Sequence, residues 1–252
     1  RFRELGGELK LRHGVDHLKL DDGRVEGVVL DDGTEIQGSN VLSSAGWYET
    51  MRMCDVTPEA HEAGPGKMSF AETISVLDRQ PRDIGHQDTI VFFNDSNTFH
   101  WNRSEGLCDV RTGVICSPNN FLYGDIGDGS PHLADGVMRI TAIANSDQWM
   151  ALSDEQYALE KNRWYDRITE AAVRFVPDYR RHVIDTDTFT PKTIRRFTWH
   201  DNGAVYGAPD KRLDGTTHLE NLFICGTDQG YVGIVGTIMS GISMANKHCL
   251  RE

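Results

Sequence analysis

Apolar and polar residues alternate near the start of the chain, a pattern typical of half-buried β-strands. Short alternating runs at 15–20, 25–30 and 34–37 are separated by two Asp-Asp-Gly turns, at 21–23 and 31–33. Asp-Gly between alternating runs is a strong hairpin signal. The pattern predicts a three-stranded meander, followed by a buried strand at 41–46 that ends in a glycine turn.

The middle of the chain carries a second group of strand patterns, at 68–77, 89–93, 99–102, 113–116 and 137–144, which predict a mixed sheet. Ser153 and Gln156 have the spacing of a capping box, and apolar residues recur at helical spacing from there to Phe175. Pro177 is expected to end this helix. Thr190 and Pro191 suit the N-cap and first position of another helix.

The most informative segment is 221–241, which predicts a short apolar strand, a glycine-rich turn and an apolar helix. Glycine lets a turn approach another molecule closely because it has no Cβ. The N-terminus of the following helix presents N–H groups and a positive dipole end. The segment therefore suits a cofactor that carries negative charge or hydroxyl groups.

Gly226-x-Asp228 and Gly233-x-x-Gly236 resemble the C-terminal flavin-binding segment of FAD-dependent desaturases and amine oxidases, most closely the phytoene-desaturase and retinol-saturase-like branch. The resemblance implies FAD as the cofactor, with the helix N-terminus beneath the flavin ring and Asp228 near the ribityl chain or the diphosphate. The cofactor-binding residues that it implies in this segment are Gly226, Asp228, Gly233, Ile234, Val235 and Gly236.

Two further segments resemble the same group. The meander and the turn after it imply that Val15 lies against the adenine through its backbone, and that Ala45 and Gly46 pass close to FAD. The Gly-x-x-Tyr-Gly element at 203–207 follows a Thr-Pro-x-Thr helix start, as in the desaturases. Trp199, Tyr206 and Gly207 are accordingly assigned to the substrate end of the flavin. No residue is identified as catalytic.

Composition excludes several other classes of protein. A net charge of −12 and a pI near 5.3 disfavour nucleic acid as a partner. Five cysteines without a Cys-x-x-Cys pair favour a reducing compartment and a cytoplasmic location, with peripheral membrane contact left open. The chain has no His-Glu-x-x-His motif, and no metal site is predicted.

One motif of the FAD family is absent from these 252 residues: the Gly-x-Gly-x-x-Gly fingerprint that holds the diphosphate. The first residues also read as the end of a helix, with Gly6 and Gly7 as its C-cap. We therefore expect a fragment, whose nucleotide-binding segment lies upstream or on a partner chain. By itself the chain is expected to bind FAD poorly and to be inactive.

These observations predict an α/β (α+β) fold, in which both termini, 1–48 and 203–252, form the remainder of an FAD-binding domain. An inserted mixed-sheet domain, 49–202, is expected to bind an apolar small-molecule substrate.

The leading hypothesis is hydride transfer with an isoprenoid or carotenoid-like substrate, in a desaturase, saturase or isomerase. One alternative is a flavin amine oxidase, with Trp199 and Tyr206 as aromatics and Arg195 or Arg196 as the cation. The other is a non-enzymatic subunit whose partner carries the nucleotide-binding half.

Overall fold

The computed structural model describes residues 1–55, 64–98, 104–122 and 133–250. The chain divides into two compact units: the first comprises Arg1–Gly66 and Tyr206–Glu252, and the second Lys67–Val205. The sequence placed the divisions after residues 48 and 202. The first division lies farther along because helix α1, Trp47–Met53, packs into the core of the first unit, where Trp47 and Met51 join Leu222 and Ile224.

The residues of the first unit that the structure describes form two small sheets. Strands β1 (Val15–Asp21), β2 (Arg24–Leu30) and β3 (Glu35–Gln37) form the antiparallel meander that the two Asp-Asp-Gly turns predict. Strand β4 (Val41–Ser43) pairs in parallel with β10 (Leu222–Ile224), so the early and late parts of the chain share one sheet. Helix α5, Gly233–Met244, follows β10 as predicted.

The second unit is built on a sheet of five described strands in the order β6-β7-β8-β5-β9. The strands are β5 (Met68–Leu77), β6 (Ile90–Asn94), β7 (Cys108–Cys116), β8 (Gly136–Asn145) and β9 (Val183–Phe189). All their pairings are antiparallel, so this sheet is not the mixed one that the sequence predicts. The alternation of apolar and polar residues along a strand indicates which face is buried, but it does not indicate whether the neighbouring strand runs parallel or antiparallel. The predicted strand at 99–102 lies outside the described residues.

The described part of the second unit also contains three α-helices: α2 (Ser146–Met150), α3 (Asp154–Ala172) and α4 (Pro191–Thr198). Alternate residues of β8, from Met138 to Ala144, are almost fully buried and pack with Trp164 and Ile168 of α3. Helix α3 ends three residues before the predicted Phe175, whose ring stacks on Phe93 at 4.7 Å. Thr190 and Pro191 take the predicted positions at the start of α4.

The capping box of α3 gives a direct test of this local structure. Ser153 Oγ accepts the Gln156 N–H at 3.3 Å, and Gln156 Oε1 accepts the Ser153 N–H at 3.1 Å. We expect Ser153→Ala to lower the free energy of unfolding by about 1 kcal/mol because one helix N–H loses its acceptor. Urea unfolding followed by far-ultraviolet circular dichroism measures the change, and Ser153→Asp, which keeps an acceptor, serves as the control. Equal losses in both variants would contradict the capping role.

Across the residues that the structure describes, no helix has both the length and the apolar character needed to cross a membrane.

Candidate functional site

The candidate site lies where the two parallel strands of the first unit end. Ser43 and Ile224 are register partners at the carboxyl ends of β4 and β10, and the Cys225 N–H donates to the Ser43 carbonyl at 2.9 Å. The turns that follow are therefore adjacent: a Cβ built on Gly226 would lie 3.9 Å from Ser44 Cβ. Ligands of open α/β sheets bind at the carboxyl ends of the strands. The structure thus brings together the turn at 44–46 and the turn at 226–230.

Asp228 is the polar centre of this arrangement. Its side chain is 2% exposed, and its carboxylate accepts the N–H of Trp47 at 2.6 Å and the N–H of Ala208 at 2.7 Å. It therefore fastens the first residue of α1 and the backbone at 208 to the turn after β10. A carboxylate offers about four acceptor positions, so two backbone donors leave capacity for a ligand hydroxyl.

Gly46 and Gly207 allow the chain to close around Asp228. Gly46 precedes α1 with φ +105°, and Gly207 has φ +68°; both values lie in the left-handed region that favours glycine. A Cβ on Gly207 would overlap Asp228 Oδ1 and crowd Thr227 Oγ1. Gly207, predicted as a substrate-side residue, is thus placed against Asp228 by a close backbone approach.

The N-terminus of α5 is the feature of the site best suited to an anion. Gly233 opens the helix at φ +77°, and the N-cap residue Val232 provides no side-chain cap. Ile234 and Val235 are 82% and 75% exposed, so the first turn of the helix is open. Uncapped N–H groups and the helix dipole favour negative charge at such a position. These observations fit the diphosphate, or the reduced ring, of a flavin dinucleotide.

Ser240 fixes α5 in place. Its fully buried hydroxyl accepts the Gly226 N–H at 2.8 Å, which joins the middle of the helix to the end of β10. Gly236 lies close to Tyr231: a Cβ there would approach the Tyr231 carbonyl carbon to 3.3 Å. The spacing of Gly233 and Gly236 therefore also has a packing reason within the first unit.

Two positively charged side chains near Asp228, those of Arg212 and Lys211, are not indicated by any sequence pattern. The Arg212 guanidinium lies 3.7 Å from the centroid of the Trp47 ring. The backbone N–H of Arg212 donates to the backbone carbonyl of Asp228 at 2.7 Å. Lys211 Nζ donates to the Tyr206 carbonyl at 2.6 Å. Burial lowers the pKa of Lys211, and the charge of Asp228 opposes that shift. Folding alone brings these groups together, so no local motif reveals them.

The remaining predicted site residues, Val15, Tyr206 and Trp199, are all at least 39% exposed. Val15 begins β1, pairs with Leu30 and is 41% exposed. Tyr206 is 39% exposed in the first unit. Trp199 belongs to the second unit, follows α4 at φ +62° and is 81% exposed. The assignments of Val15, Tyr206 and Trp199 stay predictions.

One group of side chains has the spacing of metal ligands. Ligand atoms of His13, Asp31 and Asp32 lie within 4.8 Å of one another, and His13 Nδ1 is 3.5 Å from Asp32 Oδ2. All three residues are exposed: Asp31 and Asp32 lie in the turn between β2 and β3, and His13 precedes β1. The hydrogen bond from the backbone N–H of Thr34 lowers the pKa of Asp32. Exposed ion pairs of this kind are ordinary at hairpin turns, and we assign no metal to it.

The chain is similar in sequence to prolycopene isomerases and to a diaponeurosporene oxygenase. It is 24% identical over 261 residues to prolycopene isomerase 2 of an Oncidium hybrid cultivar, covering 96% of this chain and 42% of that protein. It is 23% identical over 268 residues to 4,4'-diaponeurosporene oxygenase of Staphylococcus aureus, covering 99% of this chain and 52% of that protein. The chain thus spans about half the length, or less, of these relatives. No family model matches it.

Among solved structures, the chain is similar to glycine oxidase from Bacillus cereus, with a TM-score of 0.50, 12% identity, and coverage of 96% of this chain and 51% of that one. Because the sequence identity is only 12%, this similarity is evidence about the fold alone. The mixed helix-and-sheet (α+β) class that the sequence predicts is confirmed.

Proposed function

We propose that this chain is part of an FAD-dependent oxidoreductase that acts on a carotenoid-like substrate. The observation that carries the proposal is the open, uncapped N-terminus of α5. This helix follows the glycine-rich turn that begins at the carboxyl end of β10, beside the carboxyl end of β4. The relatives support the substrate class, since both are named for the carotenoids that they modify.

In this proposal the residues of the first unit hold the cofactor and keep it oriented. The N–H groups of Gly233, Ile234, Val235 and Gly236 face its negative charge. The buried Asp228 accepts from a ribityl hydroxyl while it holds the walls of the site at Trp47 and Ala208. Ala45 and Gly46 allow close approach from the opposite turn. A bound flavin would supply hydride transfer, and the protein would supply position and electrostatics.

The proposal includes a nucleotide-binding unit carrying Gly-x-Gly-x-x-Gly, on the same polypeptide or on a partner. Among the described residues, β4 has one strand neighbour, β10, and its other edge is open. An unpaired edge invites a further strand. The α5 residues Ile234, Val235, Ile238, Met239 and Ile242 are all at least 48% exposed, a large apolar area on one helix. Such a patch is typical of a surface that another element covers.

Purification of the protein from its native source tests the flavin assignment. An antibody against this chain should capture a yellow protein, and heat denaturation should release FAD that chromatography identifies. Anaerobic addition of a carotenoid should change the flavin spectrum, whereas amines should not. Captured protein without flavin would refute the proposal, and peroxide release on addition of an amine would favour an amine oxidase.

A charge introduced at the start of α5 tests the position of the cofactor. We expect Ile234→Asp to weaken FAD binding at least about tenfold, because a carboxylate there repels the diphosphate and competes for the helix N–H groups. Asp near a helix N-terminus does not destabilise the helix, so folding should be retained. Ile184→Asp introduces the same charge at an exposed position of β9 in the second unit and is the matched control. Fluorescence titration with FAD of the apoprotein that retains its nucleotide-binding unit measures both variants, and equal affinities would place the cofactor elsewhere.

The amine-oxidase alternative gains no support from the second unit. Arg195 and Arg196 are exposed on α4, where Arg196 lies 5.7 Å from the ring of its neighbour Phe197. Exposed arginines of this kind are typical of a helix face that contacts solvent. The non-enzymatic alternative predicts a captured complex that lacks flavin.

A further inference from the structure

A buried histidine lies where two segments of the second unit meet. His86 is 3% exposed and follows a short 3₁₀ helix, Pro81–Ile84, and its backbone N–H donates to the Pro81 carbonyl at 3.0 Å. Its ring nitrogen Nε2 is buried and has no hydrogen-bond partner within the described part of the chain. A neutral imidazole has one donor and one acceptor, whereas an imidazolium has two donors and a charge that is costly to bury without a partner. The observed arrangement therefore suits the neutral ring.

Asn120 holds the segment that contains His86. Asn120 is 2% exposed, and its Nδ2 donates to the His86 carbonyl at 2.9 Å and to the Asp88 carbonyl at 3.0 Å. Its own backbone carbonyl accepts from Thr89 Oγ1 at 3.0 Å. The Ser117 N–H donates to the Thr89 carbonyl at 2.8 Å. Because these bonds fasten the two segments together, exposing the His86 ring to water requires that some of them break.

Among the described residues, no charged side chain offers an acceptor to His86 Nε2. The charged side chains on its own segment, and on the segment that packs against residue 85 through Pro177, are Arg82, Asp83, Asp88 and Asp178. The first two aspartates are exposed, the arginine donates to Asn120 Oδ1 at 3.3 Å, and the last carboxylate pairs with Arg180. The helix Pro118–Asn120 carries no charged residue.

We propose that His86 is an acid-sensitive switch, in which proton uptake by its ring opens the contact between residues 85–89 and residues 117–120. Burial lowers the pKa of His86, and the charge of Asp88 opposes that shift. The open form, whose pKa is near the ordinary value of 6.5, therefore takes up the proton first as the pH falls. The contact is fully stable above this value and weakens progressively below it. This inference does not depend on the flavin.

Amide hydrogen exchange of the intact protein tests the switch. The Ser117 N–H, which donates to the Thr89 carbonyl, reports on the contact. Between about pH 7.5 and about pH 5.5 its protection factor, corrected for the intrinsic pH dependence of exchange, should fall at least about threefold, because each pH unit changes such an opening equilibrium by up to about tenfold. The Ile140 amide, within β8 of the same unit, is the reference and should keep its protection. Constant protection at Ser117, or an equal loss at Ile140, would overturn the proposal.

A variant separates the imidazole from the rest of the contact. Glutamine is polar and does not titrate, so in His86→Gln the protection of the Ser117 amide should no longer depend on pH over this range. His218→Gln removes an exposed imidazole of the first unit and should leave the pH dependence of the unmodified protein in place. Retention of the pH dependence in His86→Gln would assign it to another group and contradict the proposal.

A direct titration keeps the proposal testable if His86→Gln does not fold. In the unmodified protein, the ring signals of His86 followed by nuclear magnetic resonance should titrate below about pH 6.5, together with the loss of protection at Ser117. A ring that titrates at or above this value would show that the closed contact accepts the charge, and the switch would be excluded.

Discussion

Replacing Asp228 with alanine is expected to destabilise the first unit by about 3 kcal/mol. The carboxylate is buried and is the acceptor for the N–H groups of Trp47 and Ala208. Its removal leaves both donors buried without a partner, and each such group costs about 1–3 kcal/mol. The loss is larger than that of an ordinary surface hydrogen bond because water does not reach these atoms easily.

Hydrogen exchange gives the sharpest measurement of this effect. The Trp47 and Ala208 amides should exchange at least about a hundredfold faster in Asp228→Ala, since about 1.4 kcal/mol corresponds to tenfold in an opening equilibrium. Asp228→Asn retains one amide oxygen as an acceptor and should lose about half as much. Unchanged protection of the two amides would show that Asp228 does not hold the site together.

Gly207→Ala is expected to have a similar effect, about 3 kcal/mol of destabilisation, for a steric reason. The backbone at Gly207 has φ +68°, which an L-residue adopts at a cost, and the added Cβ would overlap a carboxylate oxygen of Asp228. Because Asp228 is itself fixed by two backbone donors, it cannot move away without loss of those bonds. The cost of the backbone strain at residue 207 and the cost of displacing Asp228 therefore add in the free energy of unfolding.

Gly241→Ala is the matched control for this substitution. Gly241 lies within α5, and a Cβ there meets nothing within 4 Å. Alanine favours a helix over glycine by about 1 kcal/mol, so this variant should be as stable as the natural protein or more so. Urea unfolding compares the two, with exchange of the Ala208 amide as the local readout. Equal stability of both variants would contradict the close approach at Gly207.

The sequence predicted the local elements of this protein well because their signals are local. Asp-Gly turns dictate hairpins, a Ser-x-x-Gln capping box starts α3, and Thr190-Pro191 starts α4. The strand, glycine turn and helix at the C-terminal end are also where the spacing places them. Each of these depends on residues a few positions apart, so neighbouring side chains and backbone conformations are enough to specify them.

Identifying the candidate site required both the sequence patterns and the contacts in the tertiary structure. Sequence reasoning selected the glycines and Asp228, but it missed the partners that explain them: Trp47, Ala208 and Ser240. It also missed Lys211 and Arg212, because a cation in a loop has no distinctive pattern. The burial of Asp228 and its two backbone donors show that it holds the turns of the site together, which the sequence pattern does not indicate.

What the sequence determined by itself was the meander, the starts of α3 and α4, and the strand, glycine turn and helix at 221–241. It did not indicate α1, α2 or β9. The tertiary structure decided which strands pair and in which direction, since a period-two pattern is the same for parallel and antiparallel neighbours. It also decided which polar groups are buried together. Those choices come from contacts between distant parts of the chain, such as β4 with β10 and Trp47 with Asp228, and they depend on the free energy of packing the whole unit rather than on any local propensity.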